Sequence, residues 1–149
     1  MPVRVRPEVP TLLKGNHLLN ICNYTKWDWR VSNKNQIIRI NKLAPIIEKL
    51  EPVLIHHDEI CWKYMADPEQ RKLESKVRYN NANVMIPGIL AEVPNPCNLK
   101  YRMIDGGHRM CKLKLETNFT KSMFYIIDAK DFYNLLEDLP TEMEKYVYY

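Results

Sequence analysis

Between Gln36 and Leu50 the apolar residues Ile37, Ile40, Leu43, Ile46, Ile47 and Leu50 recur at spacings of three and four, the stripe of an amphipathic helix. Pro45 falls inside the stripe, where it either kinks the helix or opens a second short one. Upstream, residues 1–16 hold three prolines and three basic side chains and predict an extended arm. The cluster His17 to Cys22 then predicts a strand, and Tyr24 to Arg30 an aromatic, charged loop. Residues 56–83 are polar and poorly periodic, which marks them as an insertion, with Asp67-Pro68-Glu69 opening a helix over 70–78. From there the pattern predicts a strand over 84–93, a turn at 94–98, a strand over 100–104 and a helix over 108–116. A strand over 123–127 and a helix over 129–139 follow. The expected fold is α/β or α+β, a small mixed sheet flanked by helices. The domain spans 17–139, and 140–149 form a C-terminal tail.

A chain of 149 residues that is 46% hydrophobic has room for one core and not for two. No apolar run approaches the roughly 18 residues of a membrane span, and the charged N-terminus has no apolar stretch behind it. Neither a membrane partner nor a secretion leader is therefore expected. Cys22, Cys61, Cys97 and Cys111 form no C-x-x-C pair, which reads as free thiols in a reducing, cytoplasmic compartment. The net charge of +4 permits an anionic partner without requiring one.

Chemistry concentrates where a strand meets a helix through two adjacent glycines, in Tyr101-Arg-Met-Ile-Asp-Gly-Gly-His-Arg-Met-Cys-Lys-Leu113. A helix N-terminus exposes unpaired N–H groups and partial positive charge, and glycines let a phosphate approach the backbone closely. His108 and Arg109 in the first turn oppose the helix dipole, a placement that an anionic ligand explains better than stability does. The segment Ile104-Asp105-Gly106-Gly107-His108-Arg109 resembles the signature of the ParB/sulfiredoxin superfamily. The order of elements over 17–55 and 84–139 is similar as well. The resemblance implies a phosphate contact by His108 and Arg109, a nucleoside di- or triphosphate ligand, and magnesium brought with it. It also has limits. Sulfiredoxin chemistry needs a cysteine where this chain has Gly107, and Cys111 lies a turn later. Partition ParB proteins carry Gly-Glu-Arg-Arg at this loop and a further DNA-binding domain. Sulfinic acid reduction and chromosome partitioning are thus not expected.

The first functional expectation is a phosphate-handling enzyme or nucleotide switch, performing phosphoryl transfer or phosphodiester hydrolysis. In it Gly106, Gly107, His108 and Arg109 hold phosphate, Asp105 and His108 act in acid-base chemistry, and Arg30 and Lys112 add charge. Alternatives are a non-catalytic DNA- or RNA-binding module and a protein-interaction domain with a degenerate loop. His56-His57-Asp58-Glu59 with Cys61 has metal-binding residue types, but adjacent ligands diverge, so a solvated loop is expected and no metal site. Trp27 and Trp29 suit base stacking, although at least one is expected in the core. Lys63, Arg71, Lys72, Lys76 and Arg78, interleaved with Tyr64 and Tyr79, could form a nucleic-acid groove. Asp67, Glu69 and Glu74 dilute the charge, and a solvated helix face is expected.

Overall fold

The computed structural model describes residues 21–23 and 36–138. The N-terminal arm, Trp27, Trp29, Arg30 and the tail lie outside the described residues. Strands β1 (Ile21–Asn23) and β2 (Gln36–Arg39) precede helix α1 (Ile40–Glu48) and strand β3 (Val53–His56). A 3-10 turn (His57–Glu59) and strand β4 (Ile60–Cys61) lead to helices α2 (Pro68–Glu74) and α3 (Lys76–Asn81). Strands β5 (Gly88–Ala91) and β6 (Tyr101–Asp105), helix α4 (Gly107–Glu116), strand β7 (Lys121–Ile127), helix α5 (Ala129–Leu135) and strand β8 (Leu136–Asp138) complete the order.

The fold is mixed α/β. A five-stranded sheet runs β3-β7-β5-β6-β4, with β3/β7 and β5/β6 antiparallel and β5/β7 and β4/β6 parallel. Its central strands are buried on both faces and read as near-continuous apolar runs. Alternation sends Tyr125 and Ile127 toward Leu43 and Ile47 of α1 and Phe132 of α5. Phe124 and Ile126 go the other way, toward Tyr79 of α3 and Met110 and Cys111 of α4. The site described below lies on this second face.

Several expectations are corrected. Gln36 to Arg39 is not the start of a helix but the middle strand of an antiparallel sheet, where Ile38 pairs with both Cys22 and Leu136. The β-branched Ile37 and Ile38 fit a pleated surface, and partners from distant sequence outweigh the helical period. Pro45 sits within α1, which continues through it to Glu48. The last helix stops at Leu135, because Leu136 to Asp138 pair with β2. The expected helix over 70–78 breaks at Ser75, whose backbone (φ −144°, ψ 58°) leaves the helical region. The expected strand over 84–93 is confined to Gly88–Ala91. The segment 56–83 is woven into the sheet through β4, which runs parallel to β6 with Ile60 opposite Tyr101.

The reading of free thiols is also overturned, since Cys61 and Cys97 form a disulfide with their Cα atoms 5.6 Å apart. Cys61 lies beside Arg102 on β6, and Cys97 sits in the turn that leads into that strand. Sequence spacing carries no trace of this proximity, and these cysteines no longer argue for a reducing compartment. Cys111 is a free, buried thiol whose pKa burial pushes up to about 11. Among the described residues no helix is long and apolar enough to cross a membrane.

Candidate functional site

Strand β6 delivers Asp105 to the edge of the sheet, and the chain turns at Gly106 with φ 119°, in the left-handed region that favours glycine. A Cβ at Gly106 would also stand 3.3 Å from the Gly88 Cα and 3.3 Å from the Arg109 guanidinium. Gly88 matches it from β5, because a Cβ there would meet Phe124 at 2.8 Å and the Asp105 carbonyl oxygen at 2.9 Å. Glycine is thus required on both sides of the turn. Helix α4 begins at once, with the Met110 N–H donating to the Gly106 carbonyl at 2.8 Å. The N–H groups of Gly107, His108 and Arg109 precede that bond and have no acceptor within the helix. Gly106 at the N-cap has no side chain to cap this end, and the first turn contains no acidic residue.

Arg109 does not face outward. Its Nη2 donates to Asp105 Oδ2 at 2.8 Å, and its side chain is only 6% exposed, so it clamps the end of β6 to the first turn of α4. The same bond occupies Asp105, the proposed acid-base group. Lys112 also points elsewhere: its Nζ donates to the carbonyls of Asn80 at 3.0 Å and Ala82 at 3.2 Å, closing the C-terminal end of α3. Arg30 lies outside the described residues.

Two arginines take the places that sequence reasoning gave to Arg109 and Lys112. Helices α2 and α3 both pack on α4, and the Arg71 guanidinium comes within 3.7 Å of where a Gly107 Cβ would stand. Arg71 lies over the Tyr64 ring at 5.0 Å, and its Nε is buried with no hydrogen-bond partner among the described residues. His108 registers the charge of this neighbourhood. Burial first, then the positive charges of Arg71, Arg78 and Arg109, push its pKa down to about 3. His108 is therefore neutral near pH 7, not the cation the sequence suggested, and its Nε2 is buried without a hydrogen-bond partner among the described residues. Of the acids that seemed to dilute this charge, Glu74 accepts from Tyr64 Oη and Gln70 Nε2, and Asp67 accepts from the Gln70 N–H. The expected solvated face is present in part: Lys63 and Lys76 are exposed, whereas Arg71, Lys72 and Arg78 are half-buried. Its interleaved cations and tyrosines were visible in the sequence, but nothing local said which element they would meet.

The residues His56 to Glu59 also depart from a solvated loop. His56 is exposed, whereas His57 is buried, with Nε2 2.8 Å from Ser122 Oγ and its ring edge-on to Phe124.

Compared with protein-family models, with curated proteins and with solved structures, the chain finds no match.

The donors at the turn suit an anion. They offer a metal ion little, since the carboxylate of Asp105 is held by Arg109 and no acidic residue stands in the first turn of α4.

Proposed function

We propose that this protein binds a phosphate-bearing ligand, a nucleoside di- or triphosphate, at the N-terminus of α4. The observation that carries the reading is the acid-free helix N-terminus beside Arg71, where burial first and then the positive charges of Arg71, Arg78 and Arg109 keep His108 neutral. An anion there would accept from the N–H groups of Gly107 and His108 and from Arg71, relieve the repulsion around His108 and favour its protonated form. Magnesium, where present, would arrive on the nucleotide phosphates. The occupied state of Asp105 supports binding over acid-base chemistry at this turn. This reading agrees with the expectation drawn from the ParB/sulfiredoxin-like segment at 104–109.

A polynucleotide backbone is the second reading, favoured by the placement of Lys63 and Arg71 over the Tyr64 ring at 5.3 and 5.0 Å. Thermal unfolding with ATP, ADP and pyrophosphate, with and without magnesium, tests the first reading. Ligand at 100 times its dissociation constant adds about 2.7 kcal/mol, which is a rise of roughly 5 to 10 °C in Tm. Unchanged melting at millimolar concentrations of all three overturns it. A steep loss of single-stranded DNA affinity with salt would then favour the polynucleotide.

A further inference from the structure

The antiparallel and parallel pairings of the sheet bring the end of β3, the starts of β5 and β7 and the end of β6 to one rim, from which the Gly106 turn rises. The side of the sheet is closed by β3, and among the described residues no strand pairs with its outer edge. One bond fixes which backbone groups face outward there. The His57 N–H donates to the Thr120 carbonyl at 2.8 Å, so these two form a hydrogen-bonded pair of the antiparallel ladder. The register of β3 and β7 is unbroken, and alternation makes Ile55–Ser122 and Val53–Phe124 hydrogen-bonded pairs as well. Leu54 and His56 lie between them and direct their N–H and C=O groups away from β7. An edge of this kind is a template for a further strand, and charged side chains ordinarily blunt it. Here the side chains are apolar: Val53 is 48% exposed, Leu54 56%, and Met123, opposite Leu54 on β7, 42%.

We propose that β3 pairs antiparallel with β3 of a second copy of this chain, about a two-fold axis at Leu54. In this register Leu54 exchanges two hydrogen bonds with its counterpart, and each His56 N–H donates to the Pro52 carbonyl of the other copy. The missing N–H of proline leaves those four bonds intact. Side chains agree with the backbone. On one face Met123 and Leu54 continue into Leu54 and Met123 of the second copy, an apolar row of four across the axis. On the other face Phe124 and Val53 continue into Ile55 and Ser122 of the second copy. All three exposed apolar side chains are covered at once. Glu51 comes opposite His57 of the second copy, a ring that feels the positive charge of Lys114, and the two-fold axis repeats this attraction at the other end.

The alternatives match less well. A register centred between Leu54 and Ile55 sets outward backbone groups against inward ones and forms no ladder. Centring on Ile55 restores the ladder but places Glu51 against Glu59 and Leu54 against His56. The self-complementarity of this edge in backbone, apolar rows and charge together is what selects a second copy as its occupant.

Sedimentation velocity and cysteine cross-linking test the proposal. The contact is small, so the wild-type mass should rise from 17.8 kDa toward twice that value as concentration goes from about 1 µM to about 1 mM. Leu54→Glu, at a position more than half exposed, should stay monomeric throughout with its melting temperature within a few degrees. Leu54→Cys should cross-link to its counterpart under diamide, because a hydrogen-bonded antiparallel pair holds its Cα atoms about 5.5 Å apart, within disulfide reach. His56→Cys should cross-link roughly tenfold more slowly, since the two copies of that position are offset by about 13 Å along the strands. A wild-type chain that stays monomeric at the highest concentration overturns the proposal. So does a dimer that survives Leu54→Glu, or equal cross-linking by the two cysteine variants, a comparison that decides alone if Leu54→Glu fails to fold. Phosphate binding is a separate matter, because Arg71 belongs to α2, which packs on α4.

Discussion

Arg109 occupies a position where a positive charge opposes the helix dipole, yet it is held between the sheet and the first turn of α4 by Asp105. Breaking a buried ion pair by removing one partner leaves the other charge uncompensated, at a cost of about 3 to 5 kcal/mol. Arg109→Ala should therefore lower the urea midpoint of the ligand-free protein strongly, and an unchanged midpoint would refute the structural role. His57 and His108 make a second residue-scale prediction. Their pKa values stand near 4 and 3 in the folded chain, against 6.5 in the unfolded one. The unfolded chain therefore binds more protons between those values, and stability rises with pH across them. It is complete above about pH 6.5 and is lost as pH falls toward 4 and then 3, by at most about 1.4 kcal/mol per pH unit for each imidazole. Urea titrations at pH 7.5, 6 and 5 check the slope, and a flat profile would mean that neither ring is held neutral by the fold.

At the scale of elements, the proposed anion site is made by α2 and α3 packing on α4, and Arg71 is the side chain nearest Gly107. Arg71→Ala should raise the dissociation constant for ATP by roughly 10- to 150-fold, the worth of one charge-assisted hydrogen bond. In the ligand-free variant the His108 pKa should move up toward 6.5, since one of the charges depressing it has gone. An NMR titration of the His108 ring reads this independently of any ligand, and a pKa that stays near 3 would mean that Arg71 contributes nothing to it. The difference between what was and was not legible in the sequence has the same origin. The unit β6, Gly106, α4 could be read directly, because strand alternation, the Gly-Gly turn and the helical stripe are local signals. Strands β2, β4 and β8 could not, being two to four residues long and defined by partners far along the chain. Arg71 and Arg78 were visible as cations on a helix, but their meeting with His108 depends on how three helices pack. Lys112 was misplaced for that reason too, as its partners are the carbonyls of a helix 30 residues away.

On the scale of the whole molecule, the five-stranded sheet separates what steadies the chain from what the rim displays. The Cys61–Cys97 disulfide sits near the start of β6, where Cys61 faces Arg102, whereas Gly106 follows the far end of that strand. At about 3.3 Å per residue, the four steps from Arg102 to Gly106 span roughly 13 Å. The bridge closes a segment with a sequence separation of 36, and a loop of that size restrains the unfolded chain by roughly 4 kcal/mol. Reduction, or Cys97→Ser, should therefore lower Tm by roughly 8 to 15 °C, a shift read directly in thermal unfolding. The rim should not register the change at a temperature where both forms are folded, because Arg71 and the α4 N-terminus keep their own anchors. Those anchors are the Tyr79–Glu116 hydrogen bond and the Lys112 contacts to the end of α3. The dissociation constant for ATP, measured on oxidised and reduced protein at 15 °C, should then agree within about threefold, a difference well under 1 kcal/mol. A tenfold or larger loss on reduction would mean that the disulfide positions α2 and α3 against α4, and that stability and binding are coupled through the 61–97 segment.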